Sequence, residues 1–213
     1  MTLTTMQDVD LIQTLFSIAI LIFSVVAHEV SHGYMAQYLG DPTARLAGRL
    51  TINPLKHLDP IGSFVAPLFS KFFLGGMIIG WAKPVPYNPY NLRDQKWGDA
   101  KVALAGPLTN LGIAFVFAML LRFGGMFFSD AMWSIMNLIV YINIILAVFN
   151  LVPIPPLDGS KVLLNALPYR YRYIGEYLER YALFLILFFA FFLWQYFAPL
   201  IGIIYHLFMG IPL

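Results

Sequence analysis

The sequence predicts an all-α polytopic membrane protein with about four to five transmembrane helices, a re-entrant segment and a short strand region at the membrane surface. Of its 213 residues, 60% are hydrophobic and 11% charged, whereas soluble domains carry about 25% charged residues. Several uncharged runs are long enough to cross a bilayer core, which takes about 20 residues. The composition excludes disordered, collagen-like and nucleic-acid-binding proteins. We expect one integral membrane domain over residues 1–213.

The first predicted helix covers residues 11–39. Residues 11–27 form a run of 17 uncharged residues. The helix continues through His28-Glu29-Val30-Ser31-His32 and meets a stop signal at Gly40-Asp41-Pro42. The first ten residues contain two Asp and no Lys or Arg. They therefore lack the basic start of a cleaved secretory signal.

Residues 44–82 are predicted to hold the surface strand and the re-entrant segment. Residues 45–53 alternate between apolar and polar side chains, which is typical of a strand. Residues 61–82 are apolar at both ends, but Lys71 lies between them, and a Lys at the centre of a span costs roughly 2.5 to 3.5 kcal/mol. This segment either crosses the membrane or enters and leaves by one face.

Three further helical regions follow. A helix is predicted over residues 99–122. The next covers residues 131–150, ends before a proline-rich stretch, and leads into a Leu-Asp-Gly element over residues 150–166. The last region, residues 181–211, contains Pro199 and Gly202. It is either one crossing helix or a broken helix.

The basic residues predict the orientation in the membrane. Eleven of the thirteen Lys and Arg residues fall in three groups, which lie after the first span, before helix 99–122 and before the last region. If residues 61–82 do not cross, all three groups face one side, and the positive-inside rule places that side in the cytoplasm. The re-entrant alternative is therefore favoured, with the N-terminus outside. The groups are Arg45, Arg49 and Lys56; Lys83, Arg93, Lys96 and Lys101; Lys161, Arg170, Arg172 and Arg180.

The motif His28-Glu29-x-x-His32 indicates a metal site on a helix. Residues four apart share a helix face, so both imidazoles can bind one metal ion. Glu29 lies about 100° around the helix from His28, which suits a base that acts on metal-bound water. The alternative is that the histidines form hydrogen bonds between helices. Because an ionisable trio within a span is costly and typically functional, we favour the metal site.

A catalytic zinc typically has three protein ligands and one open position. The chain has no cysteine, and the next Glu after Glu29 is the distant Glu176, so the remaining candidates for the third ligand are Asp or His elsewhere. Asp158 stands out because it ends the uncharged run over residues 131–157. It either completes the metal site or caps a helix that starts at Gly159. If Asp158 is a ligand, helix 131–150 must end on the inner side of the membrane. The distribution of the Lys and Arg residues independently predicts the same orientation.

These motifs resemble those of the site-2 proteases, a family of intramembrane zinc metalloproteases. The family pairs H-E-x-x-H in one membrane helix with an N-P-x-x-P-L-D-G-like element in a later one, here residues 150–159. Gly106-Pro107-x-x-Asn110 is similar to the intervening helix. Residues 40–62 and 80–93 are similar to the compact bacterial branch, which has no PDZ or CBS domain. One departure is Leu151, which stands where the family has proline.

The resemblance implies one Zn²⁺ per chain, bound by His28, His32 and Asp158, with Glu29 as the general base. It also implies that Asn150 donates a hydrogen bond to the developing oxyanion, although capping of its own helix is an equal alternative. The implied function is a zinc-dependent intramembrane endopeptidase of the cell membrane, active in regulated intramembrane proteolysis. Its active site would face the cytoplasmic side. The expected partners are the lipid bilayer and a membrane protein with a transmembrane helix, and no nucleic acid.

A membrane transporter is the alternative function. In that case the same His, Glu and Asp cluster would carry a metal ion or protons across the membrane. The two functions differ at Glu29, because a protease with Glu29→Gln loses turnover but keeps zinc, whereas a transporter loses flux.

Four finer expectations complete the analysis. An extended substrate would add to the edge of the strand over residues 45–53, and residues 81–87 would help to clamp it. We expect Asn110 to form hydrogen bonds between helices and His57 to lie on the surface.

Overall fold

The computed structural model describes residues 3–59, 61–62, 82–168, 170 and 173–212. Within these residues the secondary structure is helical and contains no strand. Single 3-10 turns lie at Pro54–Lys56, Pro89–Asn91 and Gly125–Phe127. The α-helices are α1 (Leu3–Tyr38), α2 (Thr43–Leu46), α3 (Gly98–Gly124), α4 (Asp130–Asn150), α5 (Asp158–Ala166), α6 (Tyr173–Arg180), α7 (Ala182–Phe188) and α8 (Trp194–Met209).

Four helical stretches in the described residues are long and apolar enough to cross a membrane. They are Thr14–Tyr38, Gly98–Phe127, Asp130–Asn150 and Ala182–Met209. The last stretch runs from α7 to α8 through a π-helical turn at Phe189–Leu193 and continues past Pro199. The prediction of an all-α, multi-pass membrane protein is thus confirmed, and the C-terminal region is one helical stretch.

The predicted strand over residues 45–53 is wrong. Arg45 and Leu46 belong to α2, and the residues after them have no regular structure. The main-chain N–H groups of Ala47, Gly48 and Arg49 donate back to carbonyls of residues 43–45, and Gly48 closes the turn at a φ of 63°. Because these N–H groups are used within the turn, they cannot pair with a neighbouring strand.

The predicted re-entrant segment over residues 61–82 lies mostly outside the described residues, since 63–81 are not described. Its two flanks are described, and they meet. The N–H of Lys83 donates to the carbonyl of His57 at 2.9 Å, and Arg49 Nη2 donates to the carbonyl of Lys83 at 2.7 Å. The chain therefore returns after residue 82 to the place it left before residue 60.

Helix α3 is the centre of the bundle and packs against α1, α4, α5 and α8. Its buried face is built mostly from small side chains, which let neighbouring helices approach closely. Towards the far end of α3, two of these alanines, Ala114 and Ala118, pack against Val140 and Ile144 of α4 and Ile201 of α8. The buried small residues of α3 include Ala100, Ala103, Ala105, Gly106, Ala114 and Ala118.

The end of α1 is tied to the approach to α3 by Asp41. This fully buried carboxylate accepts hydrogen bonds from the N–H and hydroxyl of Thr43, the N–H of Asn88 and the side chain of Asn91. Burial raises the pKa of Asp41, but these hydrogen bonds outweigh it and hold the pKa below its ordinary value. The C-terminus of α1 and the N-terminus of α3 therefore lie at the same end of the bundle.

Helix α5 is anchored at this same end through Asp99 in the first turn of α3. Asp99 accepts a hydrogen bond from Asn165 of α5 at 3.2 Å and another from the Tyr87 hydroxyl. Burial and the neighbouring Asp99 carboxylate both raise the pKa of Tyr87, so its phenol stays a donor. These contacts bring the N-terminal residue of α5, Asp158, to the end of the bundle where α1 ends.

Candidate metal centre

The structure brings three of the predicted site residues together in the interior of the bundle. His28 Nε2 lies 3.0 Å from Asp158 Oδ2, and His32 Nε2 lies 3.3 Å from the same oxygen. One ligand atom from each residue lies within 4.8 Å of the others, and all three residues are buried. His28 and His32 belong to α1 and Asp158 belongs to α5. Asp158 follows His32 by 126 positions in the sequence.

The Nδ1 atoms of His28 and His32 form hydrogen bonds that orient the two imidazoles, with Nε2 of each ring towards Asp158. His32 Nδ1 lies 2.7 Å from the carbonyl of Val102, which can only accept. His28 Nδ1 lies 2.6 Å from Asn110 Oδ1. The amide nitrogen of Asn110 is committed as a donor elsewhere, so Oδ1 is an acceptor. Both Nδ1 atoms therefore carry a proton, and each Nε2 of a neutral ring presents a lone pair.

Two lone pairs and a carboxylate oxygen that face one another favour a cation between them. Two ligand atoms at about 2.0 Å from a tetrahedral zinc lie about 3.3 Å apart, and the observed separations from Asp158 Oδ2 are 3.0 and 3.3 Å. Two imidazoles and one carboxylate are also a typical ligand set of catalytic zinc sites. The residues present fit a zinc ion.

Helix α3 leaves room for an ion because Gly106 faces the two histidines. A Cβ atom on Gly106 would lie 2.5 Å from the Nε2 atoms of both His28 and His32. No side chain fits there without displacing the rings. The glycine therefore keeps the space in front of both nitrogens open.

Asp158 is the first residue of α5 but does not cap it. The N-cap residue is Leu157, and no side-chain hydrogen bond caps the helix. The carboxylate faces the histidines instead, as the ligand alternative required. Gly159 lets this helix start close to the preceding turn, because a Cβ atom there would lie 2.2 Å from the carbonyl oxygen of Leu151.

Asn110 connects the candidate ligands to a buried polar network between three helices. Its side-chain nitrogen donates to Asn143 Oδ1 of α4 at 2.8 Å and to the carbonyl of Ser24 of α1 at 3.2 Å. Asn143 in turn donates to the Ser24 hydroxyl at 2.9 Å. The expected interhelical role of Asn110 is present, and the same side chain orients His28.

Glu29 is half-buried and is held by a residue that the sequence analysis did not single out. The main-chain N–H of Val85 donates to Glu29 Oε2 at 3.0 Å. Val85 lies within residues 81–87, which were expected to clamp a substrate. The signal in the sequence is the pair of prolines at 84 and 86, which leaves Val85 with the only N–H group between them.

Asn150 forms a hydrogen bond within its own helix. Its side-chain nitrogen donates to the carbonyl of Leu146 at 2.9 Å, within the last turn of α4. This hydrogen bond is the one expected if Asn150 caps its own helix. A role for Asn150 at the oxyanion stays a prediction.

His57 is buried, so its expected surface position is wrong. Only 1% of the residue is exposed, and its Nε2 lies 2.8 Å from the carbonyl of Thr51. Its own carbonyl accepts the N–H of Lys83. The basic sequence around His57 indicated a surface loop, but the return of the chain at residue 83 covers this histidine.

Comparison with known proteins gives consistent matches. The model of Peptidase family M50 matches residues 123–193, which include Asn150 and Asp158. "Putative zinc metalloprotease YwhC" of Bacillus subtilis is 37% identical over 155 residues, covering 70% of this chain and 67% of that protein. "Putative zinc metalloprotease MJ0611" of Methanocaldococcus jannaschii is 33% identical over 152 residues, covering 70% of this chain and 72% of that protein.

A third relative is longer. "Putative zinc metalloprotease Rip2" of Mycolicibacterium smegmatis is 34% identical over 149 residues, which are 67% of this chain but 53% of that protein. The matched part thus spans about half the length of Rip2. No solved structure matches this chain.

Proposed function

The chain belongs to peptidase family M50, the site-2 protease family, and we propose that it is a zinc-dependent endopeptidase that hydrolyses a peptide bond in or near a transmembrane segment of another membrane protein. The observation that carries this proposal is the convergence of the buried residues His28, His32 and Asp158 in the interior of the bundle, beside a glycine that leaves space for an ion. Glu29 adjoins His28 on the same helix and supplies a carboxylate for proton transfer.

We propose that His28, His32 and Asp158 would hold one zinc ion per chain, with Asn110 and the carbonyl of Val102 orienting the rings. When bound, zinc would lower the pKa of a water molecule and polarise a peptide carbonyl. Glu29 takes a proton from the attacking water and passes it to the nitrogen of the leaving amine. The side-chain nitrogen of Asn150 donates one of its two N–H groups to the carbonyl of Leu146, and the other N–H would donate to the oxyanion.

The depth of the site supports a substrate that lies in the membrane. Both histidines belong to the stretch Thr14–Tyr38, which is long and apolar enough to cross a bilayer. A peptide bond in a helical substrate is shielded by its own backbone hydrogen bonds. We therefore propose that the substrate unwinds locally before its carbonyl reaches the site.

For the location of the active site, we propose the cytoplasmic side of the cell membrane, with the N-terminus outside. The end of α1, the start of α3 and the anchored helix α5 lie at one end of the bundle, together with Arg49, Lys83 and Lys101. The positive-inside rule favours this end as the cytoplasmic one.

The test combines metal analysis with a cleavage assay on a pool of synthetic single-span transmembrane peptides in proteoliposomes. Wild type and Glu29→Gln are expected to bind about one zinc per chain, and Asp158→Ala much less. Only the zinc-loaded wild type is expected to produce fragments cut within the apolar segment, as detected by mass spectrometry.

Three outcomes would contradict parts of the proposal. Equal product from Glu29→Gln would remove the general base from the mechanism. A zinc-loaded wild type that cuts no peptide of the pool would argue against an endopeptidase and favour the transporter alternative. Zinc retention in Asp158→Ala would specifically overturn the ligand assignment.

A further inference from the structure

We propose that the residues 83–86 position the general base, and that the N–H of Val85 is the group through which they act. This inference rests on the proposed function, in which Glu29 transfers the proton. Val85 is a positioning residue because it contacts Glu29 and no candidate metal ligand in the hydrogen bonds described.

The sequence Lys83-Pro84-Val85-Pro86 presents one main-chain donor to Glu29. Neither proline has an N–H group, so Val85 carries the only donor between Lys83 and Tyr87. That N–H lies 3.0 Å from Glu29 Oε2. The two prolines also fix their own φ angles near −65°, so the donor is held by a stiff stretch of chain.

The segment is fixed at both ends by hydrogen bonds from other parts of the chain. At its start, the buried Arg49 donates through Nη2 to the carbonyls of Lys83 at 2.7 Å and Pro84 at 3.3 Å. Beyond its end, the N–H of Asn88 donates to Asp41 Oδ2 at 2.7 Å. Both partners, Arg49 and Asp41, are buried, so the segment cannot easily shift along α1.

Helix α1 is shaped to accept this segment. Gly33 lies one turn beyond Glu29 on the same face. A Cβ atom on Gly33 would lie 2.8 Å from Val85 Cγ1. The glycine therefore allows the valine side chain to pack directly on α1, where its N–H reaches the carboxylate of Glu29.

The consequence is a carboxylate with a fixed direction. Oε2 of Glu29 is held by Val85, and Oε1 accepts no hydrogen bond from any residue that the structure describes. A base that takes and returns a proton depends on its alignment, and a displacement of about 1 Å can cost a factor of about 100 in rate. We infer that Val85 N–H keeps Oε1 directed at the reacting water.

The experiment compares Val85→Pro with Val85→Ala. Both variants lose the valine side chain, but only proline removes the N–H group. At equal zinc content, Val85→Pro is expected to lower kcat by about 10- to 100-fold with little change in KM. Val85→Ala, which keeps the N–H group and loses only the packing on α1, is expected to lower kcat far less. An equal loss in both variants would overturn the proposal, because the side chain would then be the cause.

A spectroscopic measurement tests the contact without activity. Pro84-Val85 is the only Pro-Val pair in the sequence, so labelling with ¹³C-carbonyl proline and ¹⁵N-valine isolates one amide signal by NMR. Glu29→Ala is expected to move this signal upfield, whereas Asn150→Ala leaves it in place. An unmoved signal in Glu29→Ala would overturn the contact.

Arg49→Met provides a second route if Val85→Pro does not fold. It keeps every main-chain N–H group but removes the side-chain donor that anchors residues 83–84, so it is expected to shift the Val85 signal and lower kcat. An Arg49→Met variant with an unchanged Val85 signal and an unchanged kcat would contradict the proposal. Failure of the proposed function is distinguishable, because zinc-loaded wild type would then cut no peptide while the Val85 signal still responds to Glu29→Ala.

Discussion

Gly106 leaves open the space beside the two histidines of the candidate metal centre. We expect Gly106→Ala to bind far less than one zinc per chain, because its methyl group would lie 2.5 Å from both Nε2 atoms. Metal analysis by mass spectrometry checks this directly. Circular dichroism should show helical content close to that of the wild type, since alanine favours a helix.

Gly112→Ala is the matched control on the same helix. A Cβ atom on Gly112 would contact nothing within 4 Å, so this variant is expected to keep its zinc. It should also gain roughly 0.5 to 1 kcal/mol in helix stability. Zinc retention in Gly106→Ala, or equal loss in both variants, would show that the space beside the histidines is not needed.

Individual residues were predictable from the sequence where they form a local motif. The spacing of His28, Glu29 and His32 on one helix carries its own geometry, and Asp158 was found because it interrupts an uncharged run. Val85 was missed, because its contact with Glu29 is made by the main chain, which has no side-chain signature. His57 was misplaced, because its burial depends on where the chain returns at residue 83.

At the scale of helices, Asn110 has two separable roles, in the packing of α1, α3 and α4 and in the orientation of His28. We expect Asn110→Leu to lower zinc affinity about 10- to 100-fold, because loss of a partner that orients a metal-binding histidine typically has this effect. It should also lower the thermal unfolding midpoint. Competition with a zinc chelator and a thermal scan measure the two effects.

Asn143→Leu separates these roles. It removes the two hydrogen bonds that the Asn143 side chain forms with other helices, one accepted from Asn110 and one donated to Ser24. Asn110 Oδ1 stays available to His28. The unfolding midpoint should fall, while the zinc affinity changes much less than in Asn110→Leu. Equal losses of zinc affinity would mean that the network acts only as a whole.

The helices were easier to predict than the connection between α1 and α3. The predicted helices 99–122 and 131–150 correspond to α3 (Gly98–Gly124) and α4 (Asp130–Asn150), because long uncharged runs have few structural alternatives in a membrane. The alternation over residues 45–53 is equally compatible with a strand and with a turn. Hydrogen bonding within that turn decided against the strand.

At the scale of the whole molecule, the four spans predict that the two ends of α3 lie on opposite sides of the membrane. The end that holds the candidate metal centre lies with Tyr90, since Asn88, two residues before Tyr90, donates its N–H to Asp41 after α1. The other end carries Met126, and near it a Cβ atom on Gly210, after α8, would contact Arg122. The three basic groups favour the first end as cytoplasmic.

Single-cysteine labelling tests this orientation. The chain has no cysteine, so an introduced thiol gives the only maleimide signal from the protein. Tyr90 is 88% exposed and Met126 is 86% exposed, which makes both positions accessible. In intact cells an impermeant maleimide is expected to label Met126→Cys, and to label Tyr90→Cys only after the membrane is permeabilised. The reverse pattern would invert the orientation, and labelling of both from one side would show that α3 does not cross, because a crossing helix separates its ends by the bilayer core of about 30 Å.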